Sequence, residues 1–253
     1  MILFLRVIPL LVGLLEALIF FSQRSHPEWY PWIALVGVVL VPCASFAMSW
    51  GRIRLSDMLE KMAPTFLFLT ALAFGLLLAE GQWALWVLTL FAALASFMSL
   101  ELLFLLIHHP SGYPVNGLSR INIAYVPLTI WYALSTSAGL MIFLHMDPAI
   151  HIALAAGLGA TLFRTTGHPG ATRRQNFVWT LVGLLAGVEI GWIGILLPLS
   201  MEMHGLIAAL LFVGVLRVRR YLYDPKPGSN IAWTEAAALA AFLAASLFTA
   251  KWI

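Results

Sequence analysis

The chain has 253 residues, of which 62% are hydrophobic and only 10% charged, against roughly 25% charged in ordinary soluble domains. A soluble fold cannot cover that much apolar surface, and a formal charge of +3 is too small to argue for a nucleic-acid partner. The single cysteine, Cys43, excludes an internal disulfide framework and any CxxC metal or haem-attachment motif.

Apolar runs of about 20 residues, enough to cross the roughly 30 Å hydrocarbon layer, recur from end to end. They predict an all-α polytopic transmembrane helical bundle that forms a single integral membrane domain over residues 1–253. The first run, MILFLRVIPLLVGLLEALIFF, does not read as a signal peptide: Arg6 follows apolar residues, Glu16 interrupts the core, and no small-x-small site comes after it. It is kept as a first span over 2–21, and eight more follow at 29–49, 65–80, 83–107, 122–144, 148–164, 176–197, 203–222 and 231–251. Very short turns after the third, fifth and seventh predict antiparallel hairpins. The eighth span has a short apolar part and relies on Arg217, Arg219 and Arg220 reaching outward to the headgroups; without it the count falls to eight.

The basic residues set the orientation. Arg52, Arg54, Lys61, Arg120, Arg164, Arg173, Arg174, Arg217, Arg219, Arg220 and Lys226 all fall on one side of a nine-span chain, whereas the other side keeps Arg24 and Lys251. The positive-inside rule then places the N-terminus in the cytoplasm and the C-terminus outside, as in a multi-pass protein of the cytoplasmic (inner) membrane. Trp29, Tyr30, Trp32, Trp50, Trp83, Tyr221, Trp233 and Trp252 fall at span ends, where amphipathic rings meet the headgroups.

Small residues recur at four-residue spacing in three spans: Gly183, Gly187 and Gly191; Ala71, Gly75 and Ala79; and Ala237, Ala241 and Ala245. Lipid supplies no hydrophobic force between helices, so such stripes mark close packing within the bundle or a contact with a second copy or another membrane subunit.

Acidic residues inside the spans are the strongest functional signal. In the run LLAGVEIGWIGILLPLS, Glu189 lies near the middle, on the helix side that carries Trp192 and away from the glycine stripe. An ionised carboxylate in hydrocarbon costs a few kcal/mol at least, so Glu189 must be protonated, paired, or face a polar cavity. Glu16 raises the same question at a similar depth. Together they suggest a cavity for a cation, a proton or a polar headgroup, the alternative being neutral acids hydrogen-bonded between helices. Glu101, with His108 seven residues on, reads as an interfacial hydrogen bond. Glu80 and Trp83 repeat the Glu189 and Trp192 spacing, which raises the idea of an internal repeat but aligns poorly beyond those residues.

Two outer turns, HMDPAIH and SMEMH, hold His145, His151, Met203 and His204 as candidate metal ligands; imidazole with thioether suits copper, and imidazole with carboxylate suits zinc. Asp147 before Pro148 equally reads as a helix N-cap with proline at the first helical position. Beyond that ion no cofactor is expected, and a haem between His151 and His204 is disfavoured because both lie at span ends. On the cytoplasmic side Arg164, His168, Arg173 and Arg174 could gather the phosphate of a lipid headgroup, although topology alone accounts for their charge. Walker A, GxSxG and HExxH motifs are absent, and no catalytic set emerges.

The run Glu189-x-x-Trp192 followed by LLPLS and a glycine-containing apolar span resembles multi-span membrane proteins of candidate-phyla bacteria. That resemblance implies a bacterial cytoplasmic membrane and no particular chemistry. Three functions stay open: binding or transport of a small polar or lipid-like ligand through a cavity containing Glu189, an accessory or scaffold subunit, and a membrane enzyme acting on lipid-linked substrates.

Overall fold

The computed structural model describes residues 2–79, 81–166, 172–223 and 229–250. Among them are nine α-helices: α1 (Ile2–Ser25), α2 (Tyr30–Ser49), α3 (Leu55–Gly75), α4 (Gln82–His108), α5 (Gly117–Leu144), α6 (Pro148–Thr165), α7 (Arg173–Leu196), α8 (Met201–Tyr223) and α9 (Ser229–Thr249). Eight are long and apolar enough to cross a membrane, in keeping with a polytopic helical bundle. The weak one is α6, not the eighth: its 18 residues are long enough, but His151, Arg164 and several small residues leave it short in apolarity. Helix α3 begins ten residues before the expected span, because Met58 and Met62, four apart, are buried along the same face as Thr65 and Leu69. Glycines at positive φ, Gly51 (68°) and Gly81 (87°), make the turns before α3 and α4.

The chain divides into two compact units, residues 1–125 and 126–253. In the first, α1 packs against α2 and α4, α2 also against α4, and α3 against both α2 and α4. Gly13 of α1 sits on Phe97 and the Ala93 carbonyl of α4, where a Cβ would come within 3.1 Å of that oxygen. Leu10, Leu14 and Leu18 face outward from α1, as they would toward lipid. A polar thread runs through the core: Thr65 donates to Ser99 (3.0 Å), Ser99 to the Tyr125 hydroxyl (3.4 Å), and Tyr125 to the Ala95 carbonyl (3.4 Å). Tyr125 also stacks on Phe68, and Asn122 donates to the Lys61 carbonyl at 2.7 Å.

In the second unit the tightest seam joins α6 and α7. Gly159 lies opposite Gly183, Ala155 opposite Gly187, and Ile152 opposite Gly191, an antiparallel register in which the backbones touch. The expected glycine stripe is thus consumed inside the chain, so it offers no free face to a partner. Ala71 and Gly75 of α3 are likewise buried, whereas Ala237, Ala241 and Ala245 of α9 are exposed. Helix α8 packs between α7 and α9. Arg219, expected to reach outward, turns inward instead: only 4% exposed, it donates to the Phe163 carbonyl in the last turn of α6 and lies over the Trp179 ring of α7 at 5.4 Å. An arginine is drawn there because the final carbonyls of a helix lack intrahelical donors and carry the negative end of its dipole. Arg217 pairs with Glu235 of α9 at 3.2 Å, and Arg220 is exposed.

Candidate functional site

Two buried polar constellations stand out, one in each unit. In the first unit Glu16 is fully buried, and neither carboxylate oxygen has a hydrogen-bond partner among the described residues. Gly37 of α2 faces it, with space for a Cβ only 3.3 Å from Oε2, so glycine there leaves the carboxyl its room. Ser45 of α2 and Ser96 of α4, on the helices that flank α1, also have buried hydroxyls without a partner among the described residues. Native proteins leave few such groups unmatched, and each one asks for a reason.

Glu189 is placed differently. It lies on the exposed face of α7, as does Trp192, which is 58% exposed. The helical geometry read from the sequence, with the carboxyl away from the glycine seam, matches this placement. An ionised carboxyl near the middle of an apolar helix is costly in lipid, so an exposed one is protonated there or meets a polar group outside the described residues. Between α8 and α9 there is an apolar groove of about 790 Å³, with Arg217, Tyr221 and Glu235 on its wall.

In the second unit the structure brings together two of the four candidate metal ligands. The Nε2 atoms of His151 in α6 and His204 in α8 are 3.0 Å apart, their rings edge to face at 87°. Both are buried, at 0% and 5% exposure. Nδ1 of His151 is 2.9 Å from the Ser137 hydroxyl in α5. In the neutral pair one Nε2 carries the hydrogen and the other accepts it. Gly194 of α7 makes room for the second ring, since a Cβ there would stand 2.1 Å from Nε2 of His204. Gly205, the next residue, lets α8 lie against Trp131 and Ser135 of α5. The two histidines are therefore at one depth, contrary to the expectation from their positions at span ends, and no slot for a macrocycle lies between them.

The other two candidates lie apart. His145 is exposed and closes α5 in a left-handed conformation (φ 52°), and Met203 packs on the Leu199, Ile207 and Ala250 cluster. Asp147 accepts the Ala149 N–H at 2.8 Å with Pro148 as the first helical residue, the expected cap. Among the described residues no three His, Cys, Asp or Glu side chains gather into a metal set. Arg164, Arg173 and Arg174 are exposed, and Thr172 caps α7 with Gln175 in a capping box. His168 and Glu80 lie outside the described residues. His108 meets the Met48 carbonyl at 3.3 Å, not Glu101.

Sequence reasoning missed Ser137 and Gly194, and it gave Arg219 an outward-facing role. Nothing in their local pattern singles them out, because each matters through a partner on another helix. No protein-family model, curated protein or solved structure matches the chain.

Proposed function

We propose that this integral membrane protein binds or passes a small polar or lipid-like ligand within the bilayer, and that Glu16 is the carboxyl that receives it. The reading places the chain in a bacterial cytoplasmic membrane with the N-terminus inside. The observation that carries it is the Glu16 side chain, fully buried and without a hydrogen-bond partner among the described residues. Desolvation makes a bare carboxylate there too costly, so the group holds a proton or a guest. The α8–α9 groove, apolar along its length and polar at the Arg217–Glu235 pair, supports the lipid-like form of the ligand.

A functional carboxyl and a structural one respond oppositely to replacement. An unmatched buried polar group costs about 1–3 kcal/mol, and a similarly shaped apolar residue relieves that cost. Glu16→Met is therefore expected to raise the thermal unfolding temperature in detergent while abolishing the carboxyl band that responds to pH or added cations in infrared difference spectra. A lowered melting temperature with an unchanged spectrum would assign Glu16 to the scaffold.

The exposed Glu189 supports a second reading, an accessory subunit or homo-oligomer whose partner covers α7. Glu189→Leu would then release a co-purifying subunit or dissociate the oligomer, read by size-exclusion chromatography with light scattering. If the mass is that of one chain before and after the change, the partner reading fails.

A further inference from the structure

The groove between α8 and α9 is bounded at both ends by side chains of the two helices. Its lining runs from Leu210 to Tyr221 on α8 and from Ala232 to Leu243 on α9, about 17 Å along each axis. At one end Leu211, Leu243 and Leu247 close it by packing on the Leu199, Ile207 and Ala250 cluster. At the other, Arg217 pairs with Glu235 at 3.2 Å, and the Tyr221 hydroxyl donates to the same carboxylate. The wall between is apolar, and Gly214 adds to its depth, since a Cβ there meets nothing within 4 Å.

Half of the roughly 30 Å hydrocarbon layer is about 15 Å, so the groove is one leaflet deep. That is the reach of an acyl chain, whereas a partner helix crossing the whole layer would need the groove to continue past Leu243. Its volume of about 790 Å³ falls within the range of about 300–1,000 Å³ usual for sites that take small molecules. The polar end is the one that the distribution of arginines assigns to the cytoplasmic surface, where the phosphates of the inner leaflet lie.

We propose that this groove holds one anionic phospholipid of the inner leaflet, an acyl chain between α8 and α9 and its phosphate at Arg217 and Arg220. The charges at the mouth decide the class of lipid. Two guanidiniums and one carboxylate leave a single net positive charge, which an anionic headgroup cancels and a zwitterionic one does not. Arg217 turns only Nη1 toward Glu235, and at 39% side-chain exposure its other N–H groups face outward to a phosphate. Arg220, exposed and within electrostatic reach of the Tyr221 hydroxyl, supplies the second cation. Basic pockets between helices on the cytoplasmic side are where anionic headgroups bind. Glu235, steadied by Arg217 and Tyr221, is placed to accept from headgroup hydroxyls such as those of phosphatidylglycerol. The site deepens the lipid-like form of the reading above and rests on it for the class of ligand, but its residues are those of the groove and not Glu16.

The test reconstitutes the full chain in vesicles of equal parts phosphatidylglycerol, phosphatidylethanolamine and phosphatidylcholine, extracts it again in mild detergent and weighs it by native mass spectrometry. One phosphatidylglycerol per chain is expected to stay bound in preference to the other two lipids, and to be lost more readily as salt is raised. Gly214→Phe puts a ring into the groove from a position where a Cβ is unopposed, and it should abolish the adduct. Arg220→Gln should weaken it about fivefold, the effect of one basic charge at a membrane surface. Equal retention of the three lipids, or undiminished phosphatidylglycerol on Gly214→Phe, would overturn the site by reducing it to ordinary boundary lipid. A mass of two chains without lipid would overturn it by giving the groove to a second copy. The selectivity of the native chain decides the matter even if a variant fails to fold. Lipid adducts are read apart from the Glu16 carboxyl band, so the failure of either reading is seen by itself.

Discussion

Gly183→Val is expected to leave almost no folded protein after extraction in mild detergent. A Cβ at position 183 would meet the Gly159 carbonyl oxygen at 2.4 Å and Phe163 Cβ and Cγ at 2.7 Å. The first of these is backbone, so no rotamer change relieves it, and α6 and α7 must move apart along their whole seam. Overpacking in a well-filled core costs about 1–3 kcal/mol, and a backbone collision belongs at or above the upper end. Gly187→Val should behave alike, because its Cβ would stand 2.3 Å from the Ala155 carbonyl. Gly157 and Gly214 serve as controls, since a Cβ at either meets nothing within 4 Å. Alanine there is expected to be neutral or to stabilise by up to about 1 kcal/mol through helix propensity. Thermal unfolding by intrinsic tryptophan fluorescence, with expression level measured in parallel, separates the two groups. Equal stability of Gly183→Val and Gly157→Ala would mean that the seam is not a contact on which the fold depends.

The second large effect is expected at Arg219. Its guanidinium meets the Phe163 carbonyl and the Trp179 face, so one side chain ties α6, α7 and α8 together. A hydrogen bond to a charged donor contributes about 1.5–3 kcal/mol, and a desolvated cation–π contact about 2. Arg219→Ala should therefore destabilise the protein by about 3 kcal/mol or more, while Arg220→Ala, at an exposed neighbour, stays within about 0.5. Arg219→Lys should recover only part of the loss, because an ammonium is a compact point charge without the planar fork that serves a carbonyl and a ring at once. Equilibrium unfolding in a mixed-detergent titration gives the comparison. If Arg219→Ala and Arg220→Ala unfold together, the inward-turned guanidinium contributes nothing.

The two predictions differ in how legible they were beforehand. The Gly183, Gly187 and Gly191 stripe announces a close approach from its spacing, and only the identity of the neighbour, α6, waits for the fold. Arg219 is one of a cluster of arginines near the end of α8, and its pattern is that of a residue reaching for headgroups. Its burial depends on where α6 ends in space. The same holds for His151 and His204: 53 residues separate them, and each lies four residues into its own helix behind a turn that reads as a helix cap as readily as a source of metal ligands. Of the two membrane acids, the sequence treats Glu16 and Glu189 nearly alike. The structure buries the first completely and leaves the second exposed.

By itself, the sequence determined that the protein is a helical membrane bundle, roughly where each helix lies, and which face of α7 packs most closely. Those properties belong to single segments: hydropathy sets length against the bilayer, and small residues at four-residue spacing set how near a neighbour can come. Only the tertiary structure decided which acid is buried, which arginine turns inward and which histidines meet. In water, the polar face of a helix reveals its rotation, but lipid is as apolar as the bundle's core. A largely apolar helix therefore carries little record of which side faces its neighbours, and the partners of its few polar groups are set by packing alone.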